Sequence, residues 1–219
     1  MALPARANLS PSVAALDAPL PTAADRVAHA LNFIAVRDFA LETFGEPVWT
    51  RMLGQLGEAD RAEWSRSLAA HGVHRLGVLK RGTWALADLV GHERDALVSA
   101  CAARRADTSK GRIGRILRRF SSPLRAIDRL PETWNRSFTV GEVRIAVRRA
   151  GNARVVFETP GMFMDWLRPD CLGSLGRSLE LSGARAVTVT EVGRSTVGGD
   201  PASDRWTTTV QARWDDADD

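Results

Sequence analysis

Residues 205–214 read Arg-Trp-Thr-Thr-Thr-Val-Gln-Ala-Arg-Trp. Trp206, Thr208, Val210, Ala212 and Trp214 fall on one side of a period-two pattern. Arg205, Thr207, Thr209, Gln211 and Arg213 fall on the other. Successive side chains of a strand point to opposite faces, so this is a strand with one face against a core. Upstream, Gly198, Gly199 and Pro201 make a loop, and Val187 and Val189 alternate with Thr188 and Thr190. Cys171 to Leu181 reads as a short helix ended by Gly183. Before it, Val143, Ile145 and Val147 alternate with Arg144, Ala146 and Arg148. Gly151-Asn152 makes a hairpin turn, and Val155 and Phe157 continue on the return strand. The order strand, strand, helix, strand, strand implies an antiparallel sheet carrying an inserted helix.

Ahead of Arg136 the period is helical. Thr22 and Asp25 fit a capping box, and no Gly or Pro interrupts Asp25 to Phe44. Val27, Leu31, Ile34 and Leu41 form its main stripe, with Phe33 and Phe44 on a second face and Val36 and Phe39 on a third. A helix apolar on most sides is expected to be buried on most sides, with Asp38 paired to an arginine. Gly45 ends it and Pro47 opens the next, where Val48, Met52, Leu53 and Leu56 repeat. Glu58 to Ala70 forms a third helix with Trp64 and Leu68 inward. Thr83 caps a helix running to Arg105, with Gly91 as a candidate break. Ser122-Pro123 opens a helix ending near Trp134. The fold class is α+β: an N-terminal helical part packed on a C-terminal antiparallel sheet.

Composition narrows function by exclusion. The 219 residues are 44% hydrophobic and 26% charged, as in a globular protein. Residues 1–22 are Pro-punctuated and lack the apolar run of a signal peptide, so they read as a disordered tail. Residues 23–214 form a single domain, and 215–219 an acidic tail. No run approaches the 18 apolar residues of a transmembrane helix, and a cytoplasmic location is expected. Cys101 and Cys171 make neither a disulfide scaffold nor a zinc pattern. His71-x-x-His74 is too bare a spacing for a metal site. No nucleophile elbow, phosphate loop or acid/base pair survives inspection, so neither an enzyme nor a cofactor is expected.

Two stretches are candidate sites. Met162, Phe163, Met164, Trp166 and Leu167 crowd the connection between hairpin and helix, where they line a ligand pocket or partner surface, or else complete the core. Residues 100–150 hold 13 basic and 4 acidic side chains, and Arg112, Arg115 and Arg119 share one helical face. That face suits an anion or nucleic acid, but no stacking aromatic is interleaved with it, so a solvated face is favoured over nucleic acid. Arginine supplies all but Lys80 and Lys110 of the basic residues, and tyrosine is absent, as GC-rich codons would give.

Several short pieces resemble one superfamily. They are Phe44-Gly45-Glu46-Pro47-Val48-Trp49, Thr83-Trp84-Ala85-Leu86-Ala87-Asp88-Leu89, Ser122-Pro123, the Trp134-to-Gly141 junction, Cys171-Leu172-Gly173-Ser174-Leu175 before Gly183, and the strand ending in Trp214. Together they resemble a paralogous family of myxobacterial proteins within the ligand-binding-domain superfamily of haem–NO-binding sensors, vinyl-reductase-type domains and TRAPP subunits. The resemblance spans roughly residues 25–214. It implies a non-catalytic sensory, signalling or scaffolding module that binds a small apolar ligand or a protein partner, a second copy of the chain included. A haem-based gas sensor is the alternative. Haem-binding members carry a proximal histidine on a helix ahead of the sheet and a Tyr-x-Ser-x-Arg signature. Here residues 105–140 hold no histidine, and the chain has no tyrosine.

Overall fold

The computed structural model describes residues 26–69, 72–108, 122–197 and 205–215. A short strand, β1 (Arg26–His29), leads into α1 (Ala30–Phe44), α2 (Glu46–Gln55) and α3 (Glu58–Ala69). Strand β2 (Val73–Arg75) pairs antiparallel with β1 and runs into α4 (Leu76–Val90) and α5 (Arg94–Thr108). Then come α6 (Pro123–Asp128) and α7 (Leu130–Ser137). The second half is β3 (Glu142–Arg149), β4 (Asn152–Pro160), α8 (Met164–Glu180), β5 (Arg185–Val197) and β6 (Arg205–Asp215). The sheet is antiparallel in the order β3-β4-β6-β5. The α+β class and the strand–strand–helix–strand–strand order are therefore as the sequence implied.

Local chemistry sets most boundaries. Gly45 has φ 82°, and its N–H closes α1 on the Ala40 and Leu41 carbonyls. Gly91 ends α4 in the left-handed region at φ 70°, a conformation that costs glycine little. The Ser122 hydroxyl accepts from the Arg125 N–H, with Pro123 at the first helical position. The helix expected from there divides at Arg129 into α6 and α7.

The structure corrects several expectations. Residues 26–29 are a strand rather than the start of α1, held by pairing to β2. Thr83 lies inside α4 and caps nothing; its hydroxyl donates to the Leu79 carbonyl. The α1 stripe is turned: Leu31 and Leu41 are exposed, while Asn32, Phe33, Val36 and Ala40 are buried. Asp38 does pair with an arginine, its neighbour Arg37. Helix α8 starts at Met164, not Cys171, and continues through Pro169. The hairpin turn is Ala150-Gly151, one residue earlier than expected. A bulge between Ile145 and Val147 sets Val147 opposite Arg154 on the outer sheet face. It also sends Arg148 to Asp128 on α6, at 2.5 Å.

One hydrophobic core runs from Phe33, Trp64 and Leu79 in the helical part to Val155, Val210 and Trp214 in the sheet. At its centre lies a polar knot. Arg105 of α5 donates bidentately to Asp170 of α8, at 2.6 and 2.8 Å, and also to the Asn32 amide oxygen of α1. Asn32 in turn donates to the Ser137 carbonyl at 2.8 Å, at the end of α7. All four residues are buried. Burial works against the guanidinium charge, but the adjacent Asp170 outweighs it and raises the Arg105 pKa.

Candidate functional site

The chain from Pro160 to Pro169 is a single 3-10 turn (Gly161–Phe163) entering α8. It separates the five candidate residues. Phe163, Trp166 and Leu167 point into the core. Met162 is exposed, and Met164 is buried with its sulfur accepting from the Thr159 and Thr208 hydroxyls. Both methionines line a cleft of about 340 Å³, completed by Asp95, Gly161, Asp165, Arg168, Arg194 and Trp206. Its size is that of a small-molecule site.

Four elements supply the charges. Arg168 (α8) pairs with Asp95 (α5) and, at 3.5 Å, with Glu191 (β5). Arg194 (β5) donates twice to Glu191, at 2.8 and 2.9 Å. These hydrogen bonds hold the Glu191 carboxyl below its ordinary range and raise Arg194. Lys80 (α4) lies 2.7 Å from Asp165 and 4.4 Å from the Trp84 ring centroid. Arg194 also stands 6.0 Å from the centroid of Trp206. Trp206, read from alternation as core, is half-buried because it lies at the cleft end of β6.

Arg112, Arg115 and Arg119 lie outside the described residues, as does His71. Among the described residues, no group of three or more His, Cys, Asp or Glu side chains is placed to hold a metal. Cys101 and Cys171 are buried, and burial, reinforced by Asp170, pushes both thiols well above their ordinary range. They are protonated and inert as nucleophiles. No helix among the described residues is long and apolar enough to cross a membrane.

No family model matches the sequence, and no curated protein matches it significantly. Solved structures do match. An Fe(II) unliganded H-NOX protein from K. algicida superposes with a TM-score of 0.63, over 86% of this chain and 97% of that one, at 10% identity. A variant H-NOX from T. tengcongensis gives 0.62 over 84% and 94%, also at 10% identity. An oxygen-binding H-NOX domain related to soluble guanylate cyclases gives 0.55 over 84% and 91%, at 12% identity. The chain has the H-NOX fold.

Among the described residues, the helices next to the sheet offer haem no histidine. The described helices ahead of the sheet, α6 and α7, present Ile127, Leu130 and Trp134 to the core and hold no histidine. Between helices and sheet, Phe138 packs 4.7 Å from Trp134 and 6.2 Å from Trp166, with Arg105 5.6 Å from the Phe138 ring centroid. Aromatic packing and the Arg105–Asp170 ion pair meet here. The buried imidazole, His74 of β2, contacts Glu63 through Nδ1 at 3.2 Å and sits edge-on to Phe33.

Proposed function

We propose that the protein is a non-catalytic sensory or signalling module that binds a small ligand or a protein partner without haem. The observation that carries this is the H-NOX fold without a histidine on the described helices next to the sheet, α6 and α7. The methionine-edged cleft is the ligand site this reading favours, because it joins apolar surface to fixed charges drawn from three elements. A second copy of the chain is an acceptable protein partner, and a cytoplasmic setting suits both roles.

The second reading is a haem-based gas sensor. It is supported by the neighbours, which are described as Fe(II) and oxygen-binding H-NOX domains. Haem reconstitution of the purified protein separates the two. We expect no Soret band and no haem retained after gel filtration. A stoichiometric Soret band that shifts with nitric oxide establishes the gas sensor in place of our reading.

A further inference from the structure

We infer that the cleft at the Gly161–Phe163 turn takes a free α-amino acid with an apolar side chain, an inference that rests on the sensory reading above. The lining carries two carboxylates, Asp95 and Asp165, and two guanidiniums, Arg168 and Arg194. Its formal charge is zero, but it is not uniform. Arg194 and Arg168 converge on Glu191 from β5 and α8. Asp165 is anchored by Lys80 of α4. A ligand complementary to such a lining carries both charges at once, on a small frame. Met162, Met164 and Trp206 supply the apolar remainder of the lining, which suits a hydrocarbon, thioether or phenyl side chain.

The existing pairs leave capacity for a ligand. Asp95 is engaged through Oδ2, so its Oδ1 remains available. Arg194 binds Glu191 through Nε and Nη2, and its Nη1 remains available. Asp95 and Asp165 are about half exposed, and exposed ion pairs contribute little net stability, so exchanging partners costs little. Lys80 adds a positioning contact: it also reaches the Met162 carbonyl at 3.5 Å, tying the lip of the cleft to α4.

The test is calorimetric titration of the full chain with L-methionine, L-leucine and L-phenylalanine. Each is paired with its amine lacking the carboxylate and its acid lacking the ammonium. We expect saturable one-to-one binding of at least one amino acid, quenching of tryptophan fluorescence, and at least tenfold weaker binding of both truncated analogues. Arg194→Met should weaken the amino acid at least tenfold while leaving the amine unchanged. Asp95→Asn should do the reverse, sparing the acid. Both side chains are surface-exposed, and an unchanged melting midpoint verifies the fold of each variant. Equal affinity for the amino acid and its truncated analogues overturns the inference, as does the absence of saturable binding by all three amino acids. The sensory reading survives either result, because only the Soret band described above removes it.

Discussion

Gly173 of α8 lies directly against the backbone of Ser99 on α5. A Cβ at Gly173 would meet the Ser99 carbonyl oxygen and stand 2.7 Å from both its carbonyl carbon and its Cα. The two helices therefore touch backbone to backbone, and the Ser99 hydroxyl donates to the Pro169 carbonyl at 2.8 Å beside the contact. Gly173→Ala has no flexible side chain to push aside, so we expect a loss of about 3 kcal/mol or more. Gly176→Ala, three residues on, meets only Val189 Cγ2 at an ordinary 3.5 Å. It should be neutral or stabilising by up to about 1 kcal/mol, the usual helical preference for alanine over glycine. Urea unfolding of the two variants measures the contrast, and equal effects would show that α5 and α8 are not in backbone contact.

The buried Arg105–Asp170 pair gives a second expectation. Arg105→Met leaves a carboxylate in the core without its partner, and should destabilise by about 3–5 kcal/mol. The double change Arg105→Met, Asp170→Leu removes both charges and should recover most of that loss, because it also removes the desolvation cost. Asn32 then loses one partner but keeps its bonds to the His29 and Ser137 carbonyls. A double mutant no more stable than Arg105→Met would show that the network does more than neutralise its own burial.

Much of this architecture is visible in the sequence where one physical signal acts alone. The alternation in 205–214, the Gly91 stop and the Ser122-Pro123 start each depend on a local rule, and each places an element. The errors arise where two rules compete. Residues 26–29 continue a helical pattern without Gly or Pro, yet β2, more than forty residues later, draws them into a strand. The helix expected from Cys171 starts seven residues earlier, at Met164, because Pro169 lies within α8 although its ring supplies no N–H to the Asp165 carbonyl. Helix α1 is apolar on several faces, so periodicity alone does not choose one. The Asn32 bond to Ser137 and the Arg105 network fix Asn32 inward and leave Leu31 and Leu41 outside. The cleft was half legible: Met162 and Met164 lie two residues apart in sequence, whereas Asp95, Arg194 and Trp206 meet them only through the fold.

Glu63 predicts an acid limb in stability. Burial pushes its carboxyl up, but hydrogen bonds from Arg66 and His74 and the charge of Arg75 outweigh that and hold it below the ordinary range. The folded pKa is thus lower than the unfolded one, about 4.3. Its contribution is full above the unfolded value and is lost as pH falls through the folded one. Between pH 7 and 5 the midpoint should hardly move on this account, and below about pH 4.3 it should fall. Glu63→Gln should be less stable at pH 7 and show a flatter acid limb. A limb of unchanged steepness in thermal melts would assign the acid sensitivity to other carboxylates.

The two tryptophans of β6 separate core from cleft within one strand. Trp214 is buried in the hydrophobic core, while Trp206 is half-buried at the cleft, although both lie on the inner face of the alternation. Truncating a buried indole to Ala costs about 3–5 kcal/mol, through lost burial and the cavity left behind. Trp214→Ala should fall in that range. Trp206→Ala should cost clearly less, because water already reaches its ring. Thr209, on the outer face opposite Val156, should tolerate Ala within about 0.5 kcal/mol. The order Trp214, Trp206, Thr209 tests the register, since a one-residue slip exchanges the two faces. If Trp206→Ala is as damaging as Trp214→Ala, the indole is sealed into the core, and the cleft loses its aromatic wall. If Thr209→Ala matches either tryptophan variant, β6 is not a strand with one face turned outward.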